Sequence, residues 1–444
     1  MKDQLQAGSA EVAITPPLGV SMAGYYHDRK ADDILDDLFA TALVLSSGAT
    51  AAAIVVCDLI GLDRTVTRQA RELTEQRTQI PASQIIISCT HTHTGPVTTA
   101  RRTFAMRPDD AYLDILPRKI ADAVQLAFRR RQAASLQAGR GHVESIAFNR
   151  RYWMKDGSLR TNPPFQSPEM DRPAGPIDPE LGILLLRDAR GEPLALVSNY
   201  ALHADEVGGT AFCADYQGVE SRLLKQALGT GCVVLCPNGC CGDINHFDTS
   251  RPGAQQRGLV AAERSGTVLA GEVIKQLPNL AKVRVDGAGA VPLSAANCEF
   301  EAQLRVPSLE DVAWAEKAVN GEMHGFDRQG LDVVKAHRIL EIQAGGLTHI
   351  PVEVSAIAIG DVAFVGLPGE VFVEHGLAIK QRSPFPYTFV AELSNDSIGY
   401  VPTRVAYDEG GYESNSTPLQ PGTGERMVAT ALELLDELAE RGRR

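Results

Sequence analysis

The sequence lacks any apolar run long enough to cross a membrane. None of its apolar stretches approaches the roughly 18 residues that a transmembrane helix needs. The N-terminal stretch MKDQLQAGSAEVAITPP has no apolar segment after its lysine, so it does not predict a secretory signal. We therefore expect a cytoplasmic protein without stable membrane association.

Clusters of positive charge are also missing. Lys and Arg number 43 against 55 Asp and Glu, which gives a net charge of −12, and no basic block stands out. Nucleic acid is therefore a poor candidate partner, because phosphate binding depends on such clusters. No glycine-rich phosphate loop follows any apolar segment, so no organic cofactor is expected. The expected partner is a small-molecule substrate, and the sequence does not indicate an oligomeric state.

Cysteine is too sparse for a disulfide scaffold, with eight residues in 444. Cys236, Cys240 and Cys241 lie close together, and a thiolate metal site is conceivable there. No second CxxC pair completes four ligands, however. Small buried apolar residues are the favoured interpretation.

What the sequence does contain is the composition of a globular protein and a repeated pattern. Hydrophobic residues make up 44% and charged residues 22%. Two apolar strands joined by a tight turn, a helix and a further apolar strand recur at about 38–97, 181–247 and 352–400. We predict an α/β fold in which mixed β-sheets are covered by helices and three such modules are repeated. No clear boundary divides residues 1–444, which predicts a single domain.

Polar residues follow these strands at the points where ligands bind in open α/β sheets. His91 and His93 would lie on one face of a strand, and zinc prefers imidazole and carboxylate ligands. The repeat favours metal binding or catalysis over a hydrogen-bonded surface pair, because several strand ends deliver such groups. They are Asp58, His91, His93, His203, Asp243, Asn245, His246, Glu370, Asn395 and Tyr400.

The order and spacing of the motifs resemble one known family. The segments are ITPP with MAGY, CTHTHTGP, FNRR, NYALH, GDIN, LPGE, SNDSIGYVPT and YDEGGYES. In this order the chain resembles the catalytic N-terminal domain of the neutral/alkaline non-lysosomal ceramidases. The resemblance implies a zinc-dependent hydrolase that cleaves linear amide bonds.

The resemblance also implies roles for individual residues. Zn²⁺ would be held by His91, His203, Glu370 and Tyr400. His93 would transfer protons beside the zinc-bound water. A second tyrosine twelve residues after Tyr400 in the family helps to polarise the scissile carbonyl, and Tyr412 has that spacing. Without the resemblance, both tyrosines would be interpreted as ordinary loop aromatics.

Further residues carry open alternatives. Arg150 and Arg151, with Asn162 nearby, could bind a substrate carboxylate, phosphate or hydroxyl group, or could form a loop-stabilising ion pair. Asp58 and Asp243 could orient the metal ligands or the attacking water, or could cap the turns that they precede.

The sequence departs from the family in three respects. Asn245 stands where family members have a serine proposed to act on the amide, so a serine nucleophile at this position is excluded. Family members are secreted or membrane-facing and continue into an immunoglobulin-like C-terminal domain, neither of which is expected for this chain. Ceramide would also need a wide apolar groove, whereas aromatic residues make up only 6%.

The function predicted from these observations is hydrolysis of an amide bond in a small soluble N-acyl substrate by a zinc-activated water. Asn245 would orient the substrate through hydrogen bonds. Two alternatives stay open. One is an ester or lactone hydrolase with the same metal site, and the other is a pseudoenzyme that binds ligand without turnover.

Overall fold

The computed structural model describes residues 5–99, 106–283, 291–321 and 331–442. The strands are β1 (Gln6–Ala13), β2 (Asp33–Ile34), β3 (Phe39–Ser47), β4 (Thr50–Cys57), β5 (Ile85–Cys89), β6 (Gln132–His142), β7 (Phe148–Asn149), β8 (Arg151–Met154), β9 (Leu159–Thr161), β10 (Met170–Pro173), β11 (Glu180–Asp188), β12 (Pro193–Asn199), β13 (Ala211–Phe212), β14 (Val233–Leu235), β15 (Ile244–Asn245), β16 (Ala281–Lys282), β17 (Leu293–Gln303), β18 (His349–Ile359), β19 (Val362–Gly366), β20 (Glu370–Val371), β21 (Tyr387–Ala391) and β22 (Tyr400–Val401). The helices are α1 (Arg64–Thr78), α2 (Asp110–Arg129), α3 (Asp215–Leu228), α4 (Leu259–Gln276), α5 (Leu309–Asn320), α6 (Leu331–Gly345), α7 (Val373–Arg382), α8 (Arg404–Glu409), α9 (Tyr412–Ser416) and α10 (Thr423–Arg441). Among these helices, none combines the length and the apolar character needed to span a bilayer.

Two mixed sheets carry the fold. The larger has the order β14-β12-β11-β6-β1-β3-β4-β5, with β16 also paired to β6, and the smaller has the order β17-β18-β19-β21. Their central strands are buried along nearly their whole length, as expected for strands covered by helices. The predicted α/β class with mixed sheets is confirmed.

Three segments of the chain share one pairing order. In the first, β3 and β4 form an antiparallel hairpin, and β5 pairs parallel to β4 after helix α1. Strands β11, β12 and β14 have the same arrangement around α3, and strands β18, β19 and β21 have it around α7. Each segment therefore ends in two parallel neighbours, whose carboxyl ends lie at the same edge of a sheet.

Hydrogen bonds join the two sheets close to these carboxyl ends. The backbone N–H of Asn395 donates to the Ile87 carbonyl at 2.8 Å, and the Ile87 N–H donates to Asn395 Oδ1 at 3.0 Å. Asn199 Nδ2 donates to the Val390 carbonyl at 3.1 Å. Asn395 has φ +62°, a left-handed conformation that asparagine tolerates better than most residues. Asn395 thus links the sheets.

Glu220 on α3 is a buried carboxyl group beneath the larger sheet. Its Oε1 accepts a hydrogen bond from Ser198 Oγ at 2.5 Å, and burial raises its pKa to about 7. The folded state therefore holds this proton more tightly than the unfolded state, whose glutamate titrates near the ordinary value of about 4.3. The free energy of unfolding should then fall as the pH rises between these two values, by about 4 kcal/mol from this group.

We expect Glu220→Gln to remove that contribution, because glutamine keeps an oxygen for Ser198 and does not ionise. Urea unfolding of the wild type and the variant at pH 5 and pH 8 measures it. The variant should gain stability relative to the wild type at the higher pH. Equal changes with pH in both proteins would contradict the prediction.

Candidate active site

Three histidines meet at the edge where the sheets join. His91 Nε2 lies 3.0 Å from His203 Nε2 and 3.4 Å from His93 Nε2. The exposed fractions of His91, His93 and His203 are 3%, 9% and 2%, so all three are buried. Their ligand atoms are close enough together to hold one metal ion.

His91 and His93 lie in the loop after β5, not on a strand. β5 ends at Cys89, so the prediction that His91 and His93 share one face of a strand was wrong. The two side chains nevertheless lie close together. The backbone of His91 turns into the left-handed region, with φ +67°. Its N–H donates to the Leu59 carbonyl at 2.9 Å, and the N–H of His93 donates to the Ala204 carbonyl at 3.1 Å. These contacts fix a conformation that is unfavourable for a residue with a Cβ atom.

The outer nitrogens of two histidines are already occupied by backbone carbonyls. His91 Nδ1 lies 2.7 Å from the Ile60 oxygen, and His203 Nδ1 lies 3.4 Å from the Cys241 oxygen. A neutral imidazole that donates from Nδ1 presents a lone pair at Nε2. When both rings are neutral with the proton on Nδ1, two Nε2 lone pairs face each other, an arrangement that a cation between them stabilises. Tetrahedral zinc with Zn–N distances of about 2.0–2.1 Å places its ligands roughly 3.3 Å apart, close to the separations found.

Glu370 and Tyr400 approach the cluster from the smaller sheet. Glu370 Oε2 lies 3.4 Å from His91 Nε2. Strands β20 and β22 pair parallel, with Glu370 directly opposite Tyr400. Gly242 packs so closely on this segment that a Cβ atom there would lie 2.5 Å from the Glu370 carbonyl oxygen. Burial and the Glu370 carboxylate raise the pKa of Tyr400, so its hydroxyl is protonated unless a cation binds it.

Burial sets the charge of the histidines. It lowers the pKa of His93 to about 4 and that of His203 well below its ordinary range. Burial also opposes protonation of His91, but the adjacent Glu370 carboxylate outweighs it and raises the pKa of His91. His93 is therefore neutral near pH 7, the form that can accept a proton.

Asp205 is a site residue that the sequence reasoning missed. Its Oδ1 faces His93 Nδ1 at 3.4 Å and accepts a hydrogen bond from the Tyr25 hydroxyl at 2.6 Å. Burial and the Asp205 carboxylate raise the pKa of Tyr25, which keeps this hydroxyl a donor. In the sequence, Asp205 comes two residues after His203 in NYALHAD, and this closeness to a candidate ligand could have identified it as a site residue.

Glu392 is a second missed residue. It is completely buried and accepts hydrogen bonds from the backbone N–H groups of Val371 at 2.8 Å and of Cys241 at 3.1 Å. Burial raises its pKa to about 7. Glu392 thereby joins the segment that carries Glu370 to Cys241, whose carbonyl oxygen faces His203 Nδ1. In the sequence, the position of Glu392 directly after the apolar run YTFVA was the signal that could have identified it.

Cys241 donates its thiol to Glu392 Oε1 at 3.0 Å, and all eight cysteines are free thiols.

Arg150 and Arg151 are buried and engaged with protein carboxylates. Arg150 Nε donates to Glu413 Oε1 at 2.7 Å, and its guanidinium lies over the rings of Tyr400 and Tyr412 at 5.4 and 5.9 Å. Arg151 Nη1 lies 3.1 Å from a Glu409 carboxylate oxygen. These contacts match the ion-pair alternative, in which the arginines support the loops behind the two tyrosines.

Asp243, Asn245 and Asn162 are likewise engaged within the chain. Asp243 accepts hydrogen bonds from Asn149 Nδ2 at 2.7 Å and from the Val373 N–H at 2.8 Å, which holds the start of α7 near Glu370. Asn245 Nδ2 donates to Asn162 Oδ1 at 2.6 Å, and Asn245 Oδ1 accepts from the backbone two residues later. These contacts fix loops beside the histidines.

Asp58 lies away from the histidine cluster. Its Oδ2 accepts a hydrogen bond from the Phe39 N–H at 2.9 Å, at the start of β3 and not in the turn that Asp58 precedes. It lines a second cavity of about 380 Å³, together with Lys225 and Asp36. Its contacts therefore do not support a role in orienting the metal ligands.

A cavity of about 90 Å³ opens onto the histidines. Tyr400 and Tyr412 form one side of it, with ring centroids 5.4 Å apart. Two further tyrosines and several apolar side chains also line it. The lining includes Tyr25, Tyr26, Ile60, His91, His93, Val97, Met106, Glu370, Tyr400 and Tyr412. The cavity thus has polar groups at its base and apolar walls, as in many small-molecule sites.

Comparisons with known proteins identify a matching family and similar folds. The family model described as neutral/alkaline non-lysosomal ceramidase, N-terminal, matches residues 5–233. The fold is similar to the crystal structure of neutral ceramidase from Pseudomonas aeruginosa, with a TM-score of 0.75 and 18% identity over 99% of this chain and 75% of that one. It is also similar to a ceramidase described as complexed with C2, with a TM-score of 0.76 and 17% identity over 99% of this chain and 76% of that one.

Proposed function

The chain belongs to the neutral/alkaline non-lysosomal ceramidase family, and we propose that it is a zinc-dependent hydrolase that cleaves an amide bond in a small soluble N-acyl substrate. The observation that carries the proposal is that the Nε2 atoms of His91 and His203 lie 3.0 Å apart, with a Glu370 carboxylate oxygen 3.4 Å from His91. The donor set fits Zn²⁺, which favours nitrogen and carboxylate ligands.

We assign the metal to His91, His203, Glu370 and Tyr400. A bound Zn²⁺ supplies Lewis acidity and lowers the pKa of water toward neutrality. The carbonyls of Ile60 and Cys241 fix the orientation of the two imidazole rings. Such outer contacts hold the ligands in the geometry that the ion needs.

His93 is assigned to proton transfer. It is neutral near pH 7 and lies beside the other histidines, so it can accept a proton from an attacking water and return it to the leaving nitrogen. Asp205 faces its Nδ1 at 3.4 Å and orients the ring. The Tyr25 hydroxyl in turn holds the Asp205 carboxylate.

Tyr412 is assigned to the carbonyl oxygen of the substrate. Its side chain lines the cavity next to Tyr400, and the buried Arg150–Glu413 ion pair supports the helix on which it stands. A phenol hydroxyl in this position can donate to the oxygen as negative charge develops. Asn245 stays a candidate for orienting the substrate, and its amide nitrogen donates to Asn162.

The cavity of about 90 Å³ favours a small substrate. A panel of short N-acyl amides, N-acyl sugars, lactones and ceramide, assayed with and without a chelator, tests the proposal. We expect hydrolysis of short amides that the chelator abolishes and added Zn²⁺ restores, since the metal supplies the Lewis acid.

Each other outcome has a definite meaning. Preferential turnover of ceramide would replace the proposed substrate class. Turnover of lactones or esters without amides would favour the ester or lactone hydrolase with the same metal site. A zinc-loaded sample that hydrolyses nothing in the panel would favour a ligand-binding pseudoenzyme.

A further inference from the structure

The loop that carries Tyr25 and Tyr26 is fixed over the histidine cavity. Its two ends meet where the Met22 N–H donates to the Arg29 carbonyl at 2.8 Å. The Ala23 N–H donates to the Gly95 carbonyl at 2.9 Å, and Arg29 Nη2 donates to the His93 carbonyl at 2.7 Å. The loop is therefore tied to the same segment that presents His91 and His93.

Gly24 allows the loop to lie directly on His93. Its φ is +104°, and a Cβ atom there would lie 2.6 Å from the His93 Cβ, so any other residue would force the two segments apart. The next two side chains leave the loop toward different partners. Tyr25 reaches Asp205, and Tyr26 reaches Tyr412.

Tyr26 and Tyr412 form a bridge in the wall of the histidine cavity. Their hydroxyl groups are hydrogen-bonded, and their rings lie 6.4 Å apart in an edge-to-face arrangement. Both tyrosines stand on anchored segments, since the ion pair between Arg150 and Glu413 holds the start of α9. Tyr26 is nevertheless 42% exposed, so its side chain contributes little to the buried core.

This bridge separates two cavities. The histidine cavity of about 90 Å³ and a smaller one of about 30 Å³ share Tyr26, Glu370, Tyr400 and Tyr412 in their walls. The smaller cavity continues to helix α6, where Val334 lines it beside the Arg338–Glu341 ion pair at 2.6 Å. Removal of the Tyr26 ring would join the two spaces.

We propose that Tyr26 is a specificity-determining residue, which with Tyr412 closes the α6 side of the histidine cavity and restricts the substrate to a short substituent on that side. The inference rests on the proposed function, because it assumes that the substrate occupies this cavity. The inference narrows the substrate class to N-acyl compounds in which the acyl chain, the amine substituent or both are short.

The variant Tyr26→Ala tests the proposal, with Tyr26→Phe as the matched control that keeps the ring and removes the hydroxyl. Two substrate series are assayed with the zinc-loaded proteins: one amine acylated with chains from acetyl to dodecanoyl, and N-acetyl derivatives of alkylamines of the same lengths. Each methylene that becomes buried contributes about fourfold in affinity.

We expect Tyr26→Ala to raise the ratio of kcat/KM for long against short substrates at least about tenfold in one series, while Tyr26→Phe leaves that ratio within about twofold of the wild type. An unchanged ratio for Tyr26→Ala in both series would overturn the proposal. An equal change with Tyr26→Phe would also overturn it, because the hydroxyl rather than the ring would then be responsible.

A binding measurement separates this inference from the proposed reaction. If the wild type hydrolyses none of the compounds, calorimetric titration with the corresponding carboxylic acids and alkylamines gives the same comparison of lengths. A gain of at least about tenfold in the relative affinity of Tyr26→Ala for long chains supports the partition even without turnover. The same length preference in all three proteins contradicts it.

Discussion

Replacement of His91 by alanine is expected to abolish metal binding and to lower kcat/KM by about 10³-fold or more. His91 Nε2 is the atom nearest to the other three groups, at 3.0 Å from His203, 3.4 Å from His93 and 3.4 Å from Glu370. Its loss removes the central ligand, and with it the Lewis acid on which the proposed reaction depends. Metal content after dialysis and the rate of amide hydrolysis measure the two effects.

His142→Ala is the control, because this histidine is 66% exposed on its side chain and lies in an ion pair with Glu144. It should keep both metal and activity. His203→Ala should behave like His91→Ala, so a fold defect peculiar to one position can be recognised by comparing their circular dichroism. A metal content that His91→Ala leaves unchanged would refute the ligand assignment.

The variant His93→Gln is expected to separate metal binding from proton transfer. Loss of a general acid–base group typically lowers kcat by about 10²- to 10⁴-fold. We expect a fall of this size with metal content retained, because His93 is assigned to the proton and the ion keeps its other ligands. Single-turnover rates and metal analysis of the same sample provide the measurement.

The outcome for His93→Gln also tests whether His93 is a metal ligand, like His91 and His203, or the residue that transfers protons. A variant that loses its metal along with its activity would place His93 among the ligands, in agreement with its Nε2 distance of 3.4 Å from His91. A variant that retains nearly full activity would remove His93 from the mechanism.

The strands and helices were the most predictable part of this chain. Apolar runs such as VAFVG are buried on both faces, and a turn punctuates each hairpin, so local pattern specifies β19 and its neighbours. Helix α3 covers Asp215–Leu228, inside the module predicted at about 181–247. The ends of strands were harder to predict where only a few residues pair with the neighbouring strand, as in β14, which has three residues.

The site was predictable where its residues follow a strand and not where partners lie far apart in the chain. His91, His203 and Glu370 stand just beyond strand ends, and the structure brings them together. The left-handed backbone of His91 depends on tertiary hydrogen bonds, which local sequence does not specify. Arg150 pairs with Glu413, 263 residues later, and no local pattern connects the two. The sequence therefore left open whether Arg150 binds substrate or forms an ion pair within the chain.

The two sheets meet at the proposed metal site, and this has a consequence for stability. His91 and His203 follow strands of the larger sheet, whereas Glu370 and Tyr400 follow strands of the smaller one. An ion bound by all four would cross-link the two halves of the molecule. Mass action would then add about 2.7 kcal/mol to folding when the free ion is at 100 times its dissociation constant. The melting temperature of the protein would thereby report the zinc supply of its surroundings.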